Sequence, residues 1–115
     1  MTTINVAQLL EQTENDWKLL RETFEILCQE FPIEFSKLEA AIAMDDARRV
    51  AAIAHTIRGM LGNFCAEDAC AAAIAIEQSA IRNDLSNGRA LISRLKADAE
   101  QAQSALRQLL QGHGD

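Results

Sequence analysis

The sequence is poor in the residues from which β-sheets and turns are usually built. It contains no tyrosine, a single proline and five glycines among 115 residues. Alanine is abundant and β-branched residues are sparse, so helices are favoured over strands. A content of 49% hydrophobic and 24% charged residues is typical of a folded helical protein and excludes a disordered or fibrous one. The length fits one domain, residues 1–115, around a single core.

Membrane-spanning and secretory segments are also missing from the sequence. Uncharged runs such as residues 69–76 are much shorter than the roughly 20 apolar residues that a membrane-spanning helix needs. The N-terminal sequence MTTINVAQLLEQ lacks the basic start and the apolar core of a signal peptide. Cys28, Cys65 and Cys70 lie within apolar patterns without CxxC spacing, which predicts reduced, buried thiols. We therefore expect a cytoplasmic protein that does not contact membranes.

The charge balance excludes one class of partner. The formal net charge is −6, whereas the phosphate backbone of a nucleic acid requires a basic surface. Nucleic acid is therefore not an expected partner. The charge is unevenly distributed, however, because several arginines fall in the middle of the chain, where a small anionic group could bind. These are Arg48, Arg49, Arg58, Arg82 and Arg89.

Helical periodicity runs through the chain and predicts an all-α fold. Residues 4–11 could form a short helix, and Thr13 with Asp16 resembles a capping box at the start of the next helix. From there an apolar stripe continues through Pro32 without losing phase. This stripe predicts one long helix kinked near residues 30–32, with a break into two helices as the alternative.

Three further helices complete the pattern. The second long helix contains the sequence RRVAAIAHTIRGMLGN, the third runs from Glu67 to about Arg82, and the last reaches about Gln111. We predict an antiparallel four-helix bundle with a short additional N-terminal helix. The inward residues expected in the third helix are Cys70, Ala73, Ile74 and Ile81, and those in the last are Leu91, Leu95, Ala99, Ala102, Leu106 and Leu109.

His55 is the first candidate for chemistry. The apolar stripe of its helix is formed by Val50, Ile53, Ala54, Ile57 and Leu61. At about 100° per residue, His55 points about 150° away from the centre of that stripe and should face water. Each internal glycine destabilises a helix by roughly 1 kcal/mol relative to alanine, and so the two glycines near His55 indicate clearance for a large partner. The outer face comprises Ala51, Ala52, Gly59 and Gly62, with Arg48 and Arg58 at either end.

Arg58 and Glu77 are the other candidates. Arg58 lies three residues after His55, where its guanidinium could bind an anion carried by the histidine, or it is simply a solvated charge. Glu77 falls inside an apolar stripe and could accept a hydrogen bond from Nδ1 of His55, which would leave the Nε2 lone pair free as a nucleophile. The alternative is a boundary carboxylate paired with Arg58 or Arg82. A metal site is disfavoured because no second ligand lies three or four residues from His55.

The residues around His55 resemble the histidine phosphotransfer (HPt) domain family. Ala54-His55-Thr56-Ile57-Arg58-Gly59 is similar to the family's A-H-x-L-K-G core, and Asn63, Phe64 and Ala66 fit the small-residue stretch N-x-G-A that follows it. The similarity extends through Glu77, where the family often carries Leu-Glu or Leu-Gln, and upstream to residues 38–46. The sequence departs from the family pattern at two positions, where Arg58 replaces lysine and Cys65 replaces glycine.

The resemblance implies a phosphocarrier of a two-component phosphorelay and not an enzyme with its own ATP site. His55 would accept a phosphoryl group from an aspartyl phosphate on a response-regulator receiver domain, with a hybrid sensor kinase upstream, and pass it to another receiver. Arg58 would neutralise phosphoryl charge and Glu77 would orient the ring. The receiver would hold the Mg²⁺, so this chain, expected as a monomer, would need no cofactor. The receiver-docking surface would comprise Arg48, Ala51, Ala52, Gly59 and Gly62.

A second hypothesis assumes the same partner but no phosphoryl transfer. In it, the bundle binds a receiver or a sensor kinase as a scaffold or inhibitor without carrying phosphate. Phosphate on His55 distinguishes the two hypotheses.

Overall fold

The computed structural model describes residues 3–113, and within that range it contains helices and no strands. The predicted all-α fold is confirmed, with four long helices preceded by a short one. The helices are α1 (Val6–Gln12), α2 (Trp17–Ala43), α3 (Ala47–Gly62), α4 (Glu67–Ile81) and α5 (Gly88–His113).

The four long helices run alternately up and down. α3 packs most extensively against α4, and further contacts join α2 to α3, α4 to α5 and α2 to α5. α2 and α5, the first and the last of the long helices, are antiparallel, because Gly88 at the start of α5 lies against Ile42 near the end of α2. At the other end of the bundle, Arg21 of α2 donates a hydrogen bond to the carbonyl of Leu110 in α5 (3.4 Å). The bundle measures 46 × 25 × 19 Å.

Every connection between helices contains a non-glycine residue with a left-handed backbone. After α3 this residue is Cys65 (φ 54°), and the amides of Cys65 and Ala66 return to the carbonyls of Gly62 and Leu61. Those bonds satisfy carbonyls that the helix end leaves without an intrahelical partner. Cys65 therefore adopts a conformation that a glycine would reach without steric cost. The other left-handed residues are Glu14, Asn15, Asp45 and Asn83.

α2 passes through Pro32 as one helix. Its 27 residues run without interruption from Trp17 to Ala43, and so the alternative of two helices is wrong. Phe31 and Phe35 are both buried, whereas Pro32 is exposed, so the proline lies on the solvent side of the helix. The continuous apolar face holds the two halves together despite the missing amide. The kink near residues 30–32 stays a prediction.

The predicted capping box at Thr13 is wrong. Thr13 is the C-cap of α1, and its hydroxyl donates to the carbonyl of Leu9 (3.0 Å). The N-cap of α2 is Asp16, whose carboxylate accepts a hydrogen bond from the amide of Leu19 (3.0 Å). The shift arises because the left-handed residues Glu14 and Asn15 reverse the chain between the two caps.

The inward face predicted for α4 is also partly wrong. Ile81 is 68% exposed, and Cys70 and Ile74 are only half-buried. Because α4 packs against both α3 and α5, its buried residues cover a wide arc of small side chains instead of one narrow stripe. In α5, Leu110 is buried where Leu109 was expected, and Leu91 is half-buried. The residues buried in α4 are Ala69, Ala72, Ala73, Ile76, Ser79 and Ala80.

Candidate functional site

α3 holds His55 on the outside of the bundle. The helix begins after Asp46, whose carboxylate caps the amide of Arg49 (3.2 Å). Its apolar stripe is buried as predicted, with Ala54 and Ile57 fully inaccessible on either side of the histidine. The side chain of His55 is 61% exposed. A rigid, buried helix face thus fixes the backbone from which an accessible imidazole projects.

Two charged side chains meet the same ring nitrogen of His55. Nδ1 lies 3.0 Å from Oε2 of Glu77 in α4 and 2.8 Å from Nη2 of Arg58 one turn along α3. Nη1 of Arg58 lies 3.6 Å from Oε1 of Glu77, so the two charges also pair with each other. The structure thus brings together three residues that the sequence singled out, here named the His55–Arg58–Glu77 cluster.

The other ring nitrogen, Nε2, belongs to a side chain that is 61% exposed. Among the described residues, none forms a hydrogen bond with Nε2 of His55. The side chain of Glu77 is 15% exposed, whereas that of Arg58 is 39% exposed. The cluster therefore engages Nδ1 and leaves Nε2 available to an incoming group.

The surface around His55 is flat and made of small side chains. Ala52, Gly59 and Gly62 are exposed and Ala51 is half-buried, while Arg48 is exposed two turns before the histidine. A Cβ added at Gly59 would meet nothing within 4 Å, and one added at Gly62 would make only an ordinary contact of 3.9 Å with Sγ of Cys70. Packing inside the chain therefore does not require either glycine.

The three cysteines are free thiols, of which Cys65 is buried and Cys28 and Cys70 are half-buried. Burial raises the pKa of the Cys65 thiol, and the charge of Glu67 raises it further. Burial also raises the pKa of Cys70, with smaller contributions from Cys65 and Glu67 that outweigh the opposing effect of Arg58. Among the described residues, no cluster of histidine, cysteine or carboxylate side chains could hold a metal ion.

Two features of the structure were not predicted from the sequence. The last helix was expected to end at about Gln111, yet it continues to His113, whose ring stacks on that of Trp17 with centroids 3.8 Å apart and planes 8° apart. An apolar groove of about 270 Å³ also lies between α2 and α3, where Leu19 and Ile26 are about half exposed beside Met60. The stack joins residues distant in sequence, which no local pattern reveals. The groove could have been found from the spacing of Leu19, Ile26 and Ile33, seven residues apart and outside the buried stripe.

None of the helices within residues 3–113 combines the length and the apolar character that crossing a membrane requires.

Comparison with known proteins adds a family and two similar folds. The family model described as Hpt domain matches residues 6–111. No curated protein matches this sequence. The fold is similar to that of histidine-containing phosphotransfer protein B (HptB) from Pseudomonas aeruginosa PAO1, with 25% identity, 95% of each chain covered and a TM-score of 0.78. It is also similar to the HPT domain of the Hpt sensor hybrid histidine kinase from Shewanella, with 19% identity, 98% of this chain and 97% of that chain covered and a TM-score of 0.79.

Proposed function

This chain belongs to the Hpt domain family, and we propose that it carries a phosphoryl group on His55 between the aspartates of receiver domains. Its function is therefore histidine phosphotransfer in a two-component phosphorelay, and proteins of this kind are phosphocarriers and not kinases. The resemblance drawn from the sequence is confirmed by the match over residues 6–111. The assignment of the carrier atom rests on the geometry of the cluster.

The single observation that carries the proposal is the asymmetry of the His55 ring. Nδ1 is engaged by Glu77 and Arg58, whereas Nε2 has no hydrogen-bond partner among the described residues and belongs to a side chain that is 61% exposed. A neutral imidazole with its proton on Nδ1 has its lone pair on Nε2. That lone pair attacks the phosphorus of an aspartyl phosphate, the N–P bond forms, and the P–O bond to the aspartate breaks. The aspartate leaves as a carboxylate, and transfer to a second receiver is the reverse reaction.

Arg58 and Glu77 divide the supporting roles. Phosphoryl transfer depends mainly on positioning and on stabilising the charge of the three transferred oxygens. Arg58 lies one turn from His55 with its guanidinium beside the ring, and so it can reach a group attached to Nε2. Glu77 is largely buried and lies 3.0 Å from Nδ1, so it can hold the Nδ1–H proton through a charge-assisted hydrogen bond.

The partner is a receiver domain that docks on the small-residue face of α3. Exposed Ala52, Gly59 and Gly62 let a partner approach the histidine closely, and Arg48 and Arg58 suit the acidic pocket that surrounds a receiver aspartate. The receiver contributes the divalent cation, so no residue of this chain is assigned to hold one. A hybrid sensor kinase is the expected source of phosphate. We propose that the chain acts as a monomer.

The experiment that tests the proposal is phosphoryl transfer from a receiver domain loaded with radioactive phosphate. We expect the chain to acquire label that is lost in acid and kept in base, as for a phosphohistidine. The His55→Ala variant should acquire none. The matched control is His113→Ala, because it removes the other histidine and should label like the unsubstituted chain.

Two outcomes contradict the phosphocarrier assignment. One is the absence of label with every receiver tested, and the other is equal labelling of His55→Ala and the unsubstituted chain. Stable binding of an unphosphorylated receiver without any label would instead favour the scaffold or inhibitor.

A further inference from the structure

The two contacts to Nδ1 of His55 require different protonation states of that nitrogen. A guanidinium can only donate hydrogen bonds, and a carboxylate can only accept them. Nη2 of Arg58 lies 2.8 Å from Nδ1, and Oε2 of Glu77 lies 3.0 Å from the same atom. In a neutral imidazole, Nδ1 carries either a lone pair, which suits Arg58, or a proton, which suits Glu77. The two hydrogen bonds cannot form in the same tautomer.

Each choice has a consequence for the reactive atom. When Arg58 donates to the Nδ1 lone pair, the ring proton is on Nε2, which then has no lone pair for attack. When Glu77 accepts from Nδ1–H, Nε2 carries the lone pair and is a nucleophile. Arg58 and Glu77 thus compete for Nδ1, and His55 can react only when Glu77 forms the hydrogen bond.

Arg58 is the partner that can move. Its side chain is long and 39% exposed, while Glu77 is 15% exposed and is carried by the helix that packs most extensively against α3. Arg58 already contacts Glu77 through Nη1 at 3.6 Å. An anion arriving over Nε2 attracts a guanidinium and repels a carboxylate. The arrival of a phosphoryl group therefore pulls Arg58 away from Nδ1 and leaves Glu77 in place.

We infer that Arg58 is a positioning residue that holds the unphosphorylated His55 in its unreactive Nε2–H tautomer until a phosphoryl group draws it away from Nδ1. The proton then moves from Nε2 to Nδ1 through solvent and is held by Glu77. Nε2 attacks the phosphorus of the aspartyl phosphate, and the aspartate leaves as a carboxylate. The inference rests on the proposed function and adds that the phosphoryl donor itself activates the histidine.

The tautomer of the free protein tests this inference without any receiver. Nitrogen-15 spectra of the His113→Ala protein, labelled at histidine and recorded at about pH 9, well above the ordinary pKa of a free imidazole, report on His55 alone. We expect mainly Nε2–H in the unsubstituted cluster and mainly Nδ1–H in Arg58→Met, which keeps the apolar stem and removes every donor. Arg49→Met is the matched control, because it removes an exposed arginine from the same helix without touching Nδ1, and it should leave the tautomer unchanged.

Reaction with a neutral reagent gives a second readout. Diethyl pyrocarbonate acylates the free imidazole nitrogen and carries no charge for Arg58 to stabilise. If Arg58→Met raises the Nδ1–H fraction from about one quarter to about three quarters, acylation of His55 at Nε2 should become about threefold faster, since the rate follows the competent fraction. If Arg58→Met only loosened the packing around His55, the tautomer ratio would not shift toward Nδ1–H.

The inference is overturned if the unsubstituted cluster is already mainly Nδ1–H, if Arg58→Met leaves the tautomer unchanged, or if acylation does not become faster. None of these results bears on whether His55 carries phosphate, because the free protein is measured. The phosphocarrier assignment fails separately, through the absence of label from a phosphorylated receiver.

Discussion

Substitution of Gly59 should change the stability of the fold and the docking of a partner in opposite directions. It lies one turn beyond His55 on the exposed face, and a Cβ there would meet nothing within 4 Å. Leucine at this position should stabilise α3 by roughly 0.8 kcal/mol, because glycine is the weaker helix former. We nevertheless expect Gly59→Leu to slow transfer from a receiver by about tenfold, a loss of about 1.4 kcal/mol, because its side chain fills the space of the docked partner.

Urea unfolding measures the predicted gain in stability, and the rate of receiver-dependent labelling measures the predicted loss of transfer. Gly112→Leu is the control, since Gly112 is also open but belongs to the far end of α5. It should leave the labelling rate unchanged. An unchanged rate in Gly59→Leu would mean that the receiver does not cover this part of α3.

Cys65 and Cys70 allow a test of the packing where α3 ends and α4 begins. Burial is the main cause that raises the pKa of both thiols, and the thiolate is the form that reacts with alkylating agents. In the folded protein at about pH 8, we expect iodoacetamide to modify each of them more slowly than in the chain unfolded by guanidinium, since a raised pKa lowers the fraction of thiolate. Mass spectrometry of cysteine-containing peptides measures both rates. Equal rates would contradict the raised pKa of these thiols.

At the scale of single residues, the sequence led to His55, Arg58 and Glu77 because helical spacing fixes direction. The spacing placed the histidine on the outer face, and a carboxylate within an apolar stripe indicated that Glu77 needs a partner. Spacing says nothing about distances of 2.8 and 3.0 Å to one nitrogen, which depend on how α3 and α4 pack. The competition for Nδ1 was therefore visible only in the structure.

At the scale of elements, α2 shows how packing overrides propensity. A proline inside a helix removes one backbone hydrogen bond and crowds the preceding turn, at a cost of about 3 kcal/mol. Pro32 also restricts the unfolded chain, which offsets part of that cost. We expect Pro32→Ala to raise the free energy of unfolding by about 1–2 kcal/mol, measured by urea titration.

The control for Pro32→Ala is Ser36→Ala, because Ser36 is an exposed residue one turn further along α2 that already has its amide. Its effect should stay within about 0.5 kcal/mol, as for most surface substitutions. A Pro32→Ala variant that is less stable than the unsubstituted chain would mean that α2 depends on a kink at this position.

The helices themselves could be predicted because their apolar residues recur over many turns, as in the stripe that crosses Pro32. Their ends could not, since Thr13 and Asp16 are both good capping residues and only the left-handed pair Glu14–Asn15 decides between them. The inward face of α4 was misassigned for a different reason. Many of its residues are alanines, and a run of alanines gives no contrast from which to locate a buried stripe.

At the scale of the whole molecule, the proposed function requires a chain of net charge −6 to dock on the acidic pocket of a receiver. Arg48 lies seven residues before His55, so it points within about 20° of the histidine at a distance of about 10 Å along the helix. Arg49 is equally exposed but points about 120° away from the histidine. Local positive charge on the docking face therefore has to offset repulsion from the rest of the surface.

Reversing each arginine in turn separates the local field from the global charge. Arg48→Glu and Arg49→Glu both change the net charge by two units, from −6 to −8. At about 0.05 M salt, we expect Arg48→Glu to lower the second-order rate constant of transfer from a receiver about fivefold, because steering depends on charge near the docking site. Arg49→Glu should lower it less than about twofold. Near 1 M salt, where the screening length falls to about 3 Å, both effects should vanish.

The salt series makes this prediction specific to docking. A receiver at saturating concentration should transfer phosphate to Arg48→Glu at the unsubstituted rate, since Arg48 lies too far from His55 to contact the phosphoryl group. Equal slowing by both variants would mean that total charge alone controls association. No slowing by Arg48→Glu at low salt would place the receiver on another part of the bundle, of which the groove beside Leu19, Ile26 and Met60 is the next to test.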